Sequence, residues 1–323
     1  MHSGGQRSMR WIRSIIRQNY GTFYRIVVAL VISVFVLNIL HEWTHVWQYT
    51  VGSSLSTRTT CALNISAGEP LQLASTPKIA IVSMYGGDWP PEVMRRVVHN
   101  KEFYAKYHGY TMIDGNKYVD DTRGVSWFKL LAVEEALHSF DYVMYIDADA
   151  VIMDPKRPLD TFLIAGRGKD MIMTEDWSGL NGGVWIAKKS PWTHSFMKEL
   201  WNQTHLIPRY SPDGKTRHIF EWEQRAFHYL IQSEMWVRRG MPKYDGDYMA
   251  VRDHIAYLPQ CSFNSYPMHP MDERGGRDLH QYIDGDFIIH FAGKKGAIKF
   301  NLMEHYLAIT EQRERELTDL RSA

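Results

Sequence analysis

The chain has 323 residues, with 37 basic against 36 acidic side chains and a formal net charge of +1 at pH 7. Arg7, Arg10, Arg13, Arg17 and Arg25 fall in the first 25 residues, which hold no acidic group. Subtracting those five from the 37 leaves 32 basic against 36 acidic groups, a body with a net charge near −4. Such a balance leaves no broad basic face and excludes nucleic acid as the principal partner.

In chain order, residues 1–25 read as a basic tail. Ile26 to Leu40 follows with only Ser33 and Asn38 polar. Extended through Tyr24 and the Trp43–Trp47 stretch, it approaches the ~20 residues needed to span a bilayer. Residues 26–47 are therefore expected to form a transmembrane signal anchor, with aromatic residues at its interfaces and the arginines holding the N-terminus in the cytoplasm. A cleaved signal peptide is the competing reading, but no small-residue cleavage site follows Leu40. The expected topology is single-pass type II, with the C-terminal bulk in a lumen. His41-Glu42-Trp43-Thr44-His45 matches a zinc-protease pattern. It stands at the edge of a lone membrane helix with no other spans to build a pocket, so interfacial anchoring is the preferred reading.

Residues 48–77 read as a stem, rich in Ser, Thr, Gly and Ala without periodicity. The sequons at Asn64 and Asn202 agree with a lumenal body. Cys61 and Cys261 are the only cysteines. An oxidising lumen permits them to pair, but their spacing does not require it.

Residues 78–323 are long enough for one large α/β domain. Ile79 to Met84 is an apolar strand. After Pro90-Pro91, Val93, Val97, Phe103 and Tyr104 ride a helix closed by Gly109. Tyr110 to Ile113 is the next strand. Trp127 to Phe140 reads as a helix with Phe128, Leu131, Ala132 and Ala136 near one face. Tyr142 to Ile146 is a buried strand that runs into Asp147-Ala148-Asp149, after which apolar character resumes. This β-α-β-α-β alternation predicts a mostly parallel sheet between helices. Ligands gather at the carboxyl ends of such strands, where Ser83, Asp147 and Asp149 fall. Further on come an apolar piece at Met171–Met173, a strand at Val184–Ala187, and helices near Trp192–Trp201 and Glu221–Ile231. A late strand is expected over Asp286–Phe291, and a C-terminal helix from about Phe300.

Two carboxylates at the end of a buried strand are costly unless paired or metal-bound. Asp-x-Asp can present oxygen ligands to Mg²⁺ or Mn²⁺ that also holds a diphosphate. An acidic turn is the bland alternative.

The segments Asn100-Lys101-x-x-Tyr104-x-x-x-His108-Gly109-Tyr110, Ser126-Trp127-x-Lys129, Asp147-Ala148-Asp149, Asn181-Gly182-Gly183, Glu223-Gln224, Asn264-Ser265-Tyr266-Pro267 and His290-Phe291-Ala292-Gly293-Lys294-Lys295 occur in this order. The ordered set, spanning about Lys78 to Lys295, resembles glycosyltransferase family 34, which includes fungal α-galactosyl- and α-mannosyltransferases and plant xylosyltransferases. The resemblance implies a GT-A type, Rossmann-like nucleotide-sugar-binding domain, type II Golgi topology, Mn²⁺ (or Mg²⁺), a nucleotide-sugar donor and retention of anomeric configuration.

By the same resemblance, Asp147, Asp149 and His290 are the metal ligands, the first also close to the donor ribose. Ser83, Lys129, Gly182, Gly293 and Lys295 bind the donor. Asn181, Glu223 and Gln224 face the transferred sugar, with Glu223 either stabilising an oxocarbenium-like centre or acting as nucleophile. Read without the resemblance, Ser83 is a polar strand terminus, Lys129 a surface lysine and His290 a core or solvated histidine. Likewise, Asn181-Gly182-Gly183 is a turn and Glu223-Gln224 a solvated helix face. Trp177, Trp185, Trp222 and Trp236 are candidates to stack on acceptor sugars.

The expected activity is transfer of a hexose, UDP-galactose favoured, to a polysaccharide or glycoprotein glycan. Xylosyl or mannosyl transfer are alternatives. The implied partners are the acceptor glycan, the membrane and, in homo- or hetero-oligomers, other Golgi transferases. A non-catalytic scaffold of a Golgi glycosylation complex is the reading from another class.

Overall fold

The run Ile79-Ala80-Ile81-Val82-Ser83-Met84 forms strand β1 (Ile79–Met84), with all six residues buried. In the computed structural model the described residues are 33, 61, 63, 76–86, 89–120, 122–176, 179–207, 222–267 and 281–322. Almost all belong to one unit, Ser56–Pro267 with Gly276–Ala323. After β1, helix α1 (Pro91–His108) starts with proline in its first turn and ends at Gly109, whose φ of 75° gives the left-handed C-cap. Strand β2 (Thr111–Asp114) follows. A short 3₁₀ turn at Val125–Trp127 leads into α2 (Phe128–Leu137), and then comes β3 (Tyr142–Asp147).

β1 lies between β2 and β3 and runs parallel to both, with Val82 opposite Ile113 and Tyr145. The expected parallel core is therefore present in this half. Beyond β3 the direction reverses. Strand β7 (Val184–Lys188) pairs antiparallel with β3, and β5 (Met171–Asp176) pairs antiparallel with β7. Strand β8 (Ile255–Leu258) then runs parallel to β5, and the short β6 (Gly179–Leu180) turns back on it. The sheet is thus mixed and parallel-rich rather than uniformly parallel. An apolar run specifies burial and not direction, which is why the reversal was hidden.

The period-2 alternation of the strands divides the core. Ala80, Val82, Val143, Tyr145, Trp185 and Ala187 face one layer, together with Phe128, Ala132 and Ala136 of α2. Phe196 and Leu200 of α4 (Pro191–Asn202) and Phe227 of α5 (Gln224–Ile231) belong to that layer. Ile79, Ile81, Met144, Ile146, Val184 and Ile186 face the other, with Tyr104 and with Phe162 from α3 (Asp160–Ala165). Each fully buried aliphatic side chain contributes about 1.5–3 kcal/mol.

Two short helices, α6 (Glu234–Arg238) and α7 (Tyr248–Asp253), precede β8. The C-terminal helix α8 (Gly296–Ser322) begins earlier than expected and packs on α1, where Arg96 Nε meets Glu311 Oε1 at 2.6 Å. The late strand, β9 (Ile288–His290), is shorter than expected. Phe103 and Leu131 are only half-buried, at the margins of their helices' core faces. Cys61 and Cys261 are joined by a disulfide.

The tail, the expected anchor over residues 26–47 with its His41 and His45, most of the stem, Asn64 and Trp177 lie outside the described residues, Ser33 excepted. Among the described residues no helix is long and apolar enough to cross a membrane.

Candidate functional site

At Asp147 the chain leaves the main sheet. Ala148 and Asp149 turn, and strand β4 (Ala150–Ile152) pairs antiparallel with β9, placing Ala150 opposite His290. The Phe291 N–H donates to the Asp149 carbonyl at 2.9 Å. This crossing of two short strands brings side chains 141 positions apart in sequence together. One donor atom each from Asp147, Asp149 and His290 all lie within 4.8 Å of one another.

α1 holds this turn from behind. Asn100 donates to the Ile152 carbonyl at 3.0 Å and accepts from the Ile152 N–H at 2.9 Å. Lys101 donates to the Asp147 carbonyl at 2.8 Å and to Ser83 Oγ at 3.0 Å. Tyr104 Oη donates to the Arg157 carbonyl, and His108 Nε2 lies 2.9 Å from that of Pro155. The ordered motif on α1 is therefore a ladder gripping residues 147–157. Their spacing places these residues on one helix face, but their role depends on the folding of residues 147–157 against that face. Ser83 is wholly buried, with its hydroxyl donating to the Ile146 carbonyl at 2.6 Å, so it supports β3 from within.

His290 is oriented from its far side. Asn264 Oδ1 only accepts, so the 2.7 Å contact fixes His290 Nδ1 as a donor and leaves Nε2 toward the carboxylates. Nε2 stands 3.3 Å from Asp149 Oδ1, and Lys299 of α8 reaches Asp149 Oδ2 at 2.6 Å. Burial opposes ionisation of Asp149, but His290 and Lys299 outweigh it and hold the carboxyl well below the usual carboxylate range. Lys299 carried no sequence signal, since a lysine near a helix start reads as solvated.

Lys129, at the start of α2, is interior rather than a surface lysine. Its ammonium lies 3.0 Å from Asp147 Oδ1, 2.8 Å from Glu223 Oε1 and 3.2 Å from the Gly182 carbonyl. Burial works against its charge, but Asp147 and Glu223 prevail and push it up to about 12. Tyr145 Oη also donates to Asp147 Oδ1, at 2.7 Å. Burial raises the Glu223 carboxyl above its usual range, with Lys129 opposing and Asp147 assisting. Glu223 Oε2 and the neighbouring Ser126 hydroxyl are both buried without a hydrogen bond of ordinary geometry.

The Asn181-Gly182-Gly183 turn forms the floor. Gly183 N–H donates to Asn181 Oδ1 at 2.9 Å, and Gly182 N–H to Gln224 Oε1 at 3.0 Å. Asn181 Nδ2 in turn donates to Asp176 at 2.9 Å. A Cβ at Gly183 would stand 2.4 Å from His290 Cε1 and 2.7 Å from Asp147 Oδ2. Only glycine leaves this cradle open. Two carboxylates and an oriented imidazole around it fit a divalent cation.

Gly293, with φ of 73°, turns the chain from β9 toward α8, and Lys295 is exposed beside it. Of the tryptophans proposed for stacking, Trp185 and Trp236 are fully buried core residues, a correction that follows from their packing in the sheet-facing layer. Trp222, next to Glu223, is 61% exposed. Asn202 is exposed at the end of α4.

The profile of the galactosyl transferase GMA12/MNN10 family matches residues 80–167 and 161–300. The "Probable alpha-1,6-mannosyltransferase MNN10" of Saccharomyces cerevisiae is 22% identical over 265 residues, 68% of this chain and 60% of that protein. The "Probable glycosyltransferase 6" of Oryza sativa subsp. indica is 28% identical over 143 residues, covering 41% of this chain and 29% of that protein. An uncharacterized alpha-1,2-galactosyltransferase of Schizosaccharomyces pombe is 21% identical over 265 residues, 69% of this chain and 70% of that one. The chain spans less than two thirds of the length of the first two.

Proposed function

We propose a function from one premise: the chain belongs to the galactosyl transferase GMA12/MNN10 family, glycosyltransferase family 34, and is a glycosyltransferase. Its reaction is metal-dependent transfer of a hexose from a nucleotide sugar to a glycan acceptor, with retention of anomeric configuration on a GT-A type domain. The observation that carries this reading is the convergence of Asp147, Asp149 and His290 beside the buried Lys129–Glu223 pair.

Asp147, Asp149 and His290 would hold the cation, and the mixed donor set favours Mn²⁺ over Mg²⁺. A divalent ion there supplies electrostatic stabilisation of the nucleoside diphosphate as it leaves. Lys295, exposed after the Gly293 turn, adds a cationic donor for phosphate oxygens. Asn264 keeps His290 Nε2 aimed at the site, and Lys129 fixes Asp147 and Glu223 relative to each other. Glu223, held through Oε1 by Lys129, would face an electron-poor anomeric carbon as a charge stabiliser or as a nucleophile.

UDP-galactose is the favoured donor. GDP-mannose is the alternative that the name of the Saccharomyces cerevisiae relative suggests, and UDP-xylose follows. We place the enzyme in the Golgi membrane as a type II protein. The Cys61–Cys261 disulfide and the exposed Asn202 sequon support a lumenal domain.

The test incubates the full chain with Mn²⁺ and a panel of nucleotide sugars and reads release of nucleoside diphosphate. Release from one donor, lost with chelator and in Asp149→Asn, is the expected result. Full Mn²⁺-dependent release in a folded Asp149→Asn variant would refute the site. If no donor is turned over, Mn²⁺-dependent nucleotide binding separates an acceptor-gated enzyme from a scaffold.

A further inference from the structure

A second set of metal-ligating side chains meets at the other end of α2 from Lys129. Glu134 and His138 stand one turn apart, His138 as the residue that caps the helix. His194 lies in the first turn of α4, after the Ser190 N-cap and Pro191. The two carboxylate oxygens of Glu134 each face one imidazole: Oε1 is 3.1 Å from His194 Nδ1, and Oε2 is 3.5 Å from His138 Nε2. The rings are stacked with centroids 5.1 Å apart and 20° between their planes. One donor atom from each residue falls within 4.8 Å of the other two.

We propose that Glu134, His138 and His194 form a transition-metal site that takes Zn²⁺, separate from the Asp147 centre. Zinc binds imidazole nitrogen and carboxylate oxygen at about 2.0–2.2 Å in a tetrahedron, whose donor–donor edges are then about 3.3 Å. The two Glu134 contacts run from different carboxylate oxygens at hydrogen-bonding distance, so the ion would take the place of the protons they now share. To complete the set the stacked imidazoles turn until both lone pairs converge on the ion, which their partly exposed positions allow. Two imidazoles and one carboxylate select zinc over Mg²⁺ or Mn²⁺, which take oxygen-rich sites. The side chains of Glu134, His194 and His138 are 32%, 26% and 56% exposed, which admits the ion and leaves room for a water as fourth ligand. The neighbouring Lys189 directs its ammonium to the His138 main-chain carbonyl at 2.7 Å, not to the carboxylate. A zinc ion here ties the end of α2 to α4 and braces the helix that carries Lys129.

The test uses the full chain, stripped of metal, dialysed against Zn²⁺ with excess Mg²⁺, and then assayed for bound zinc. In an Asp149→Asn background, which disables the Asp147 centre, the protein should retain one equivalent more zinc than the same protein carrying His194→Ala or Glu134→Gln. Co²⁺ in place of Zn²⁺ should give a four-coordinate visible spectrum in the parent that is lost in His194→Ala. Zinc should raise the Tm of Asp149→Asn and not of Asp149→Asn combined with His194→Ala. Melting without metal checks that His194→Ala is folded, and His138→Ala, at the most exposed position, serves if it is not. Equal zinc content and equal Co²⁺ spectra in the parent and a folded variant would overturn the proposal.

Discussion

Lys129 and Glu223 form an ion pair of 2.8 Å in the interior, with side chains only 4% and 2% exposed. Lys129 also holds Asp147, so a single ammonium links a metal-ligand candidate on β3 to a catalytic candidate at the start of α5. Removing one partner of a buried pair leaves an uncompensated charge and costs about 3–5 kcal/mol. For a domain of this size that is roughly 10 °C in Tm. Lys129→Met should show this loss together with loss of sugar transfer. Glu223→Gln, which leaves Lys129 paired to Asp147, should lose transfer with a smaller shift in melting. Comparable thermal unfolding curves for Lys129→Met and the parent would remove the pair from the account.

Asn100 acts on the site without touching it. Its amide satisfies both main-chain groups of Ile152, and each such group left buried and unpaired costs about 1–3 kcal/mol. Asn100→Ala should therefore lower Tm and loosen β4, and with it the position of Asp149. A Mn²⁺ titration should show weaker binding by about tenfold, equivalent to roughly 1.4 kcal/mol. Unchanged Mn²⁺ affinity in the variant would confine Asn100 to stability alone.

His228 gives the domain a defined acid sensitivity. It is fully buried, its Nδ1 is 2.7 Å from Ser233 Oγ, and burial lowers its pKa from 6.5 to about 4. Between these values the unfolded chain binds a proton that the folded chain does not. Stability thus falls as pH drops from 6.5 to 4, by up to about 3 kcal/mol from this group, and levels off below. His228→Gln should flatten that part of the stability–pH curve relative to the parent. The check is urea unfolding from pH 7 to pH 4. Parallel curves for the two proteins would mean that His228 does not carry the effect.

The legible parts of this fold were those written in local pattern. β1 and β3 are continuous apolar runs, α1 has its proline start and glycine stop, and Asp147 and Asp149 stood out as carboxylates at the end of a buried strand, whereas His290 was marked only by the family resemblance. What escaped depended on long-range contacts. The reversed β7 looks like any buried strand. Lys101 and Lys299 sit on helices, where lysine is ordinarily solvated, and only the fold shows one buried under Asp147 and the other paired with Asp149. Trp185 and Trp236 read as sugar platforms by chemistry, yet both are consumed by the core. In each case the residue type was visible and its neighbour was not.

Gly183 tests the cradle most directly. The main chain there already serves the site, since the Asp147 N–H donates to the Gly183 carbonyl at 2.7 Å and the Gly183 N–H to Asn181 Oδ1 at 2.9 Å. An added methyl group would stand 2.4 Å from His290 Cε1 and 2.7 Å from Asp147 Oδ2, both far inside contact distance. His290 cannot swing away cheaply, because its Nδ1 is held by Asn264 and its strand is paired to β4. Gly183→Ala should therefore keep the fold, with the strain absorbed by a displaced His290 or Asp147, at about 1–3 kcal/mol. Mn²⁺-dependent nucleotide binding should fall by more than a hundredfold, while far-ultraviolet circular dichroism stays that of the parent. Gly182→Ala, whose Cβ would approach Glu223 Oε1 at 3.1 Å, should instead spare Mn²⁺ binding and impair transfer. If Gly183→Ala binds Mn²⁺ and nucleotide as the parent does, the cation does not sit among Asp147, Asp149 and His290.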